Sequence, residues 1–319
     1  SRSHYQIKAG LWLYDQLARG RGFQKHSTLN AAELSQHSLP LTLDDLKTCY
    51  QFWDATTDDL ELCLRVAASA SQCGVSLCEG VKLEKITPTD SGYHLELLHV
   101  AHDQRFTINT MAVVLATGPW SHNVLKESNI TVKIEALNNK GCHILFDDLG
   151  FNKGVFLETM VPRDGRIFFV LPWQGYTLLG TTETIYDADP DQQQPESSEL
   201  DYLLNNFAYY STLSRHQLEQ KIRYVYSGLR WLVKDGGSRL SKTSRESYLS
   251  TYQHGPGSLW ILYGGKLTSY RLFAQKLGEQ ISKKLKITQP SQTHDPTFWS
   301  KDHYQFHIPS FQERFRLWP

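Results

Sequence analysis

Ala112-Val113-Val114-Leu115-Ala116-Thr117-Gly118-Pro119-Trp120 is the stretch on which the fold turns. Its first five residues are small or apolar without alternation, as a central strand of a parallel sheet requires when both of its faces are covered. Thr117-Gly118-Pro119 then stops the strand, because glycine admits conformations closed to other residues and proline has no N–H for a ladder. Ligands of open α/β sheets lie outside the carboxyl ends of the strands, so this turn is where a bound molecule is expected, although an ordinary strand-to-loop turn uses the same residues.

Working outward, Gly10-Leu-Trp-Leu-Tyr-Asp-Gln-Leu17 has apolar residues at helical spacing and runs to Gly20-Arg21-Gly22, which predicts a short glycine-ended helix. Thr56-Thr57-Asp58-Asp59 has the acids of a helix N-terminus, and Leu60, Cys63, Leu64, Ala67 and Ala70 mark a buried face that should end near Gly74. Short strands are expected at 75–77 and 81–86, and Tyr93, Leu95 and Leu97 alternate with polar neighbours in a meander closed by 107–110. From His143 to Thr182 the pattern is antiparallel, with 166–171 and 176–179 joined at Gln174-Gly175. Residues 189–195 read as a surface loop, Ser197-Ser198-Glu199 as a helix start, and 221–226 and 259–262 as strands. A last helix has Leu272, Phe273, Leu277 and Ile281 on one face. Residues after Gln289 define no element.

The bulk properties exclude several classes. Lys plus Arg and Asp plus Glu are balanced at 33 each, so no field of one sign points to nucleic acid. Apolar runs such as 111–116 are far shorter than the roughly 20 residues of a membrane span. The five cysteines form no CxxC pair or zinc spacing, which predicts reduced thiols in a cytoplasmic setting and no metal site. The chain starts at Ser1 without a signal-peptide pattern.

Besides the 117–120 turn, three constellations have chemical potential. Tyr226-Ser-Gly228-Leu-Arg230 places a permissive glycine and an arginine at a strand end, where the guanidinium either grips phosphate or carboxylate bidentately or forms a surface ion pair. Gly264-Gly265-Lys266-Leu267-Thr268 opens a helix directly after an apolar strand. Free N–H groups and the helix dipole make that end a site for negative charge, as on a reduced flavin, or else it is a glycine turn with a solvated lysine. It is not a P-loop, since the spacing between its glycines is wrong. Of the 13 histidines, His143 alone starts a strand beside a flexible glycine, where it could face a cleft as proton acceptor.

Read in order, Gly10-Leu-Trp-Leu-Tyr-Asp-Gln-Leu17, Ala116-Thr-Gly-Pro-Trp120, Lys140-Gly-Cys-His143, Phe169-Val-Leu-Pro-Trp173, Gly180-Thr-Thr-Glu183, Tyr226-Ser-Gly-Leu-Arg230 and Gly264-Gly-Lys-Leu-Thr-Ser-Tyr-Arg271 resemble the respiratory FAD-dependent glycerol-3-phosphate dehydrogenases. The resemblance implies a D-amino-acid-oxidase-like flavoenzyme fold, α/β combined with α+β, in which an FAD-binding domain and an antiparallel-sheet substrate domain are threaded through each other. Residues 1–50 and 121–215 would belong to the substrate domain, 51–120 and 216–288 to part of the FAD-binding domain, and 289–319 to an irregular tail. It further implies oxidation of sn-glycerol 3-phosphate to dihydroxyacetone phosphate by hydride transfer to FAD, with electrons passed to membrane quinone. Arg230 and Arg245 would hold the substrate phosphate and His143 would lie near the hydroxyl. Thr117, Gly118 and Gly228 would border the flavin, and Gly264, Gly265, Lys266, Leu267 and Thr268 would meet its pyrimidine edge, with Thr268 also near substrate.

The sequence departs from the family pattern at Trp231 for Pro, Cys142 for Ser, Glu183 for Asp, and loosely over Ser244-Arg245-Glu246-Ser247. The family's strand-GxGxxG-helix for the flavin diphosphate and its HGG and Arg-Tyr segment do not occur in the 319 residues. The chain is therefore expected to be an internal and C-terminal piece of such an enzyme, inactive by itself, not retaining FAD, and cytoplasmic with peripheral contact at the inner face of the membrane. Two rival readings stand beside this one: an amine or amino-acid oxidase of the same fold, with the arginine on a carboxylate, and a non-catalytic remnant of the substrate domain.

Overall fold

A computed structural model describes residues 4–20, 24–42, 48–234 and 246–295. Helix α1 (His4–Leu17) forms where the apolar spacing predicts it, and Gly20 follows at a φ of 80°. Next come β1 (Ser27–Leu29), α2 (Ala31–Ser35) and β2 (Cys49–Gln51), with β1 and β2 paired antiparallel. Helix α3 (Asp59–Gln72) starts at Asp58, whose carboxylate accepts the Glu61 N–H, the cap expected from the acids at its start. Its expected inner face is only partly realised: Ala68 and Ser69 are buried, whereas Leu60 and Cys63 are exposed. The strand expected at 75–77 does not form. No strand among the described residues pairs with it, and without a partner for its N–H and C=O groups an extended segment is only a connection. Val75 and Leu77 are accordingly exposed.

The meander is as read: β3 (Val81–Thr89), β4 (Gly92–His99) and β5 (Gln104–Thr110) form an antiparallel three-stranded sheet. Strand β6 (Ala112–Leu115) ends in a 3-10 turn at Gly118–Trp120, which leads into α4 (Ser121–Glu127). The antiparallel region comprises β7 (Ala136–Asp147), β8 (Val155–Glu158), β9 (Ile167–Trp173), β10 (Tyr176–Gly180) and β11 (Thr184–Ile185). The β9–β10 hairpin turns at Gln174 and Gly175, both at positive φ, the two-residue turn that matches strand twist. Helices α5 (Ser197–Tyr210) and α6 (Arg215–Glu219) precede the long strand β12 (Ile222–Val233). The last elements are β13 (Ser247–His254), β14 (Gly257–Gly264) and α7 (Tyr270–Leu285).

Two cores result. Ile144, Phe146, Phe168, Val170 and Leu179 of the six-stranded sheet pack on Leu203, Leu204 and Phe207 of α5. Ile86, Tyr93, Val113, Leu115, Val124, Leu125, Leu259 and Ile261 fill the space between the two small sheets and α4. Strand β6 pairs parallel with β14, as its composition predicts, but it is the outer strand in the order β13-β14-β6. Its expected central position is therefore corrected: Val113 and Leu115 are buried, whereas Val114 is 40% exposed. Strand β12 is longer than expected and pairs with β7 along its length, so it belongs to the antiparallel sheet.

Candidate active site

Strand alternation decides which side chains share a face. On β7, Asn139, Gly141 and His143 point one way, while Lys140 and Cys142 point into the covered side. The register sets Arg230 opposite Asn139, Gly228 opposite Gly141 and Tyr226 opposite His143. His143 and Arg230, chosen separately from sequence, thus lie on one face of the sheet, with the exposed Gly228 between them.

His143 stacks on Tyr226 at 5.0 Å and leans on Phe169 at 5.7 Å. A side chain at Gly180 would collide with its ring, so the glycine opposite provides its space. Nδ1 is buried and has no hydrogen-bond partner. Burial, and then the positive charge of Arg230, pulls the His143 pKa down to about 4, so the imidazole is neutral at pH 7 and can take a proton. The Arg230 guanidinium crosses above Gly141, where a Cβ would stand 2.5 Å from Nη2. Its Nη1 donates to Asn139 Oδ1 at 3.0 Å and its Nη2 to Thr181 Oγ1 at 3.2 Å. Both of these acceptors are neutral, and the two bonds orient the guanidinium.

The second half of the site is the end of the parallel pair. The register from Ala112↔Ser258 to Leu115↔Ile261 brings the carboxyl ends of β6 and β14 to the same edge. Thr117 and Gly118 leave one strand there, and Gly264 and Gly265 leave the other, with the three glycines at φ of 54°, 61° and 104°. Lys266 is exposed and forms an ion pair with Glu246 at 3.3 Å. Leu267 and Thr268 begin the 3-10 turn Leu267–Ser269 at the head of α7, where first-turn N–H groups lack intrahelical acceptors. The Gly118–Trp120 turn packs against β12 and β14, and Trp231 stacks on Tyr263 at 4.5 Å, which makes the two halves neighbours. Arg245 lies outside the described residues.

Tyr226, Asn139 and Thr181 escaped the sequence reading. The two-residue period from Arg230 through Gly228 would have found Tyr226; Asn139 and Thr181 depend on cross-strand register. Cys142 is fully buried, and burial pushes its thiol up to about 12, with Glu199 adding to the effect, so it is an inert packing residue. The described residues contain no cluster of metal-ligating side chains.

The edge fits the ring end of a flavin. Gly118 has open space where a Cβ would be, Gly264 and Gly265 add no side chain of their own, and the head of α7 offers positive potential. An α/β edge joined to an antiparallel sheet that carries an arginine and a neutral histidine on one face is compatible with a flavin-dependent oxidoreductase, and the family match establishes that class. The FAD dependent oxidoreductase family matches residues 5–271, and the chain belongs to that family. The chain is similar to the glycerol-3-phosphate dehydrogenase of a Synechocystis strain, with 28% identity over 91% of this chain and 55% of that protein. Its fold is similar to that of the Bacillus halodurans glycerol-3-phosphate dehydrogenase solved with FAD, with a TM-score of 0.70 and 24% identity over 82% of this chain and 50% of that one. A glycine oxidase from Geobacillus kaustophilus shares the fold at a TM-score of 0.60 and 19% identity, over 95% of this chain and 73% of that one. The chain spans about half the length of the glycerol-3-phosphate dehydrogenases it matches.

Proposed function

We propose that this chain carries the substrate side of an enzyme that oxidises sn-glycerol 3-phosphate at C2 to dihydroxyacetone phosphate and passes the electrons to a membrane quinone. The observation that carries this reading is the sheet face on which a guanidinium oriented by Asn139 and Thr181 lies with a neutral histidine. Arg230 holds the phosphate, with Arg245 as its second cation. His143 takes the C2 hydroxyl proton, and the charge of Arg230 favours release of that proton to solvent once product has formed. Bound FAD supplies the acceptor for the C2 hydride. Thr117, Gly118, Gly228, Gly264, Gly265 and Leu267 border the flavin, while Lys266 and the head of α7 favour negative charge at its edge and Thr268 reaches toward substrate. In this reading the approach to quinone is peripheral; no helix among the described residues is long and apolar enough to cross a membrane.

Calorimetry of the chain with sn-glycerol 3-phosphate and with glycine tests the substrate. Binding of the phosphate ester, weakened by about 2 kcal/mol or more in Arg230→Ala, is the expected result. Preference for glycine would replace this reading with an amino-acid oxidase.

A further inference from the structure

The groups behind the sheet close a ring with those in front of it. On one face, Arg230 donates to Asn139 and Thr181. On the covered face, the chain neighbours of those two acceptors meet one carboxylate: Lys140 Nζ stands 3.1 Å from Glu199 Oε2, and Thr182 Oγ1 donates to Glu199 Oε1 at 2.8 Å. Asn139 adjoins Lys140 and Thr181 adjoins Thr182, so six side chains form a circuit that passes through the backbone twice. The circuit crosses the sheet where its ladder is interrupted. Between β10 and β11 the N–H of Cys142 donates to the hydroxyl of Thr182 at 2.8 Å, so a side chain replaces a backbone acceptor at that point.

The Lys140 and Glu199 side chains are only 1% and 2% exposed. Burial alone would lower the Lys140 pKa and raise that of Glu199. Bonds to Glu196 and Glu199 instead hold the ammonium above its ordinary value, and bonds led by that from Thr182 hold the Glu199 carboxyl below its own. Both groups are therefore charged at neutral pH. A buried pair of this kind recovers little beyond its own desolvation, so net stability is a weak reason for its presence.

We propose that Lys140 and Glu199 are positioning residues that fix the direction of Arg230 from the opposite side of the sheet, through Thr182 and Thr181. The inference rests on the reading of Arg230 as the anion-holding residue. A double-mutant cycle of Glu199→Gln and Arg230→Ala, followed by urea unfolding of the full chain, measures the coupling without ligand. Lys140 keeps Glu196 in the first variant, so no charge is left alone. The two altered side chains share no bonded atom, and independent sites would lower the folding constant by the product of their separate effects. We expect a departure from that product of about threefold or more; losses that simply multiply overturn the proposal. If Glu199→Gln does not fold, Thr182→Val takes its place in the cycle under the same criterion. Thr182→Ser, which keeps the hydroxyl, should restore the coupling, and failure to restore it also counts against the circuit. Glycerol 3-phosphate binding is read separately: a wild-type chain that does not bind it removes the anion-site reading, while the unfolding cycle still decides the coupling.

Discussion

The Arg230 guanidinium occupies space that any side chain at position 141 would take. A Cβ on Gly141 would stand 2.5 Å from Arg230 Nη2 and 2.6 Å from Thr181 Oγ1. One clash falls on the end of the flexible Arg230 side chain and the other on the stiff, branched Thr181, so Gly141→Ala should cost about 1 kcal/mol or more of stability. The displaced guanidinium should also weaken glycerol 3-phosphate binding by about tenfold, read by calorimetry beside a melting curve. His143 gives a pH test. Its pKa is about 4 in the folded chain and 6.5 in the unfolded one, so the unfolded chain binds the extra proton between those values. The stabilising advantage of the neutral ring is complete above the higher value and is lost as pH falls toward the lower, amounting to about 3 kcal/mol. An imidazole proton resonance that titrates near the ordinary value would contradict this, and His143→Phe should flatten the acid limb of the stability curve. At this scale the sequence was informative about residue type. His143, Arg230 and Lys266 were visible as a base and two cations beside glycines, but nothing in their spacing showed that Asn139 and Thr181 would hold one of them.

The element that joins the two halves is β12, and its departure from the family pattern has a structural counterpart. Trp231, which stands where the family has proline, is 8% exposed, stacks on Tyr263 and belongs to the core beneath the small sheets. Because strand residues alternate, burying Trp231 on one side turns Arg230 to the other. Trp231→Ala should therefore cost about 3 kcal/mol or more in chemical denaturation, and should weaken anion binding as β12 loosens from β14. Retained binding with a large stability loss would separate the two roles. Elements with strong local signals, namely the capped start of α3, the β9–β10 turn and the meander, were legible because their determinants lie within a few residues. The segment 75–77 was not, because a strand exists only with a partner and pairing is a property of distant chain.

For the whole molecule, the chain supplies groups suited to the ring end of a flavin, but its 319 residues contain no GxGxxG loop for the diphosphate. The purified 319-residue chain should therefore be colourless at about 450 nm and should take up added FAD only weakly, as read by flavin fluorescence titration. A yellow protein that keeps its flavin through gel filtration would show that the remaining contacts suffice. The ordered motifs of this chain, by their resemblance to a family, were enough to determine a flavoenzyme scaffold, while the apolar run at 112–116 and the alternation after His143 marked its parallel and antiparallel parts, because periodicity is local and period two assigns faces within any one strand. Only the tertiary structure decided that β12 pairs with β7, that β6 is an outer strand, and that Lys140 and Glu199 stand charged behind Arg230. Register between strands far apart in sequence is set by packing of the whole core, and a buried charge is tolerated only where that packing brings its partner.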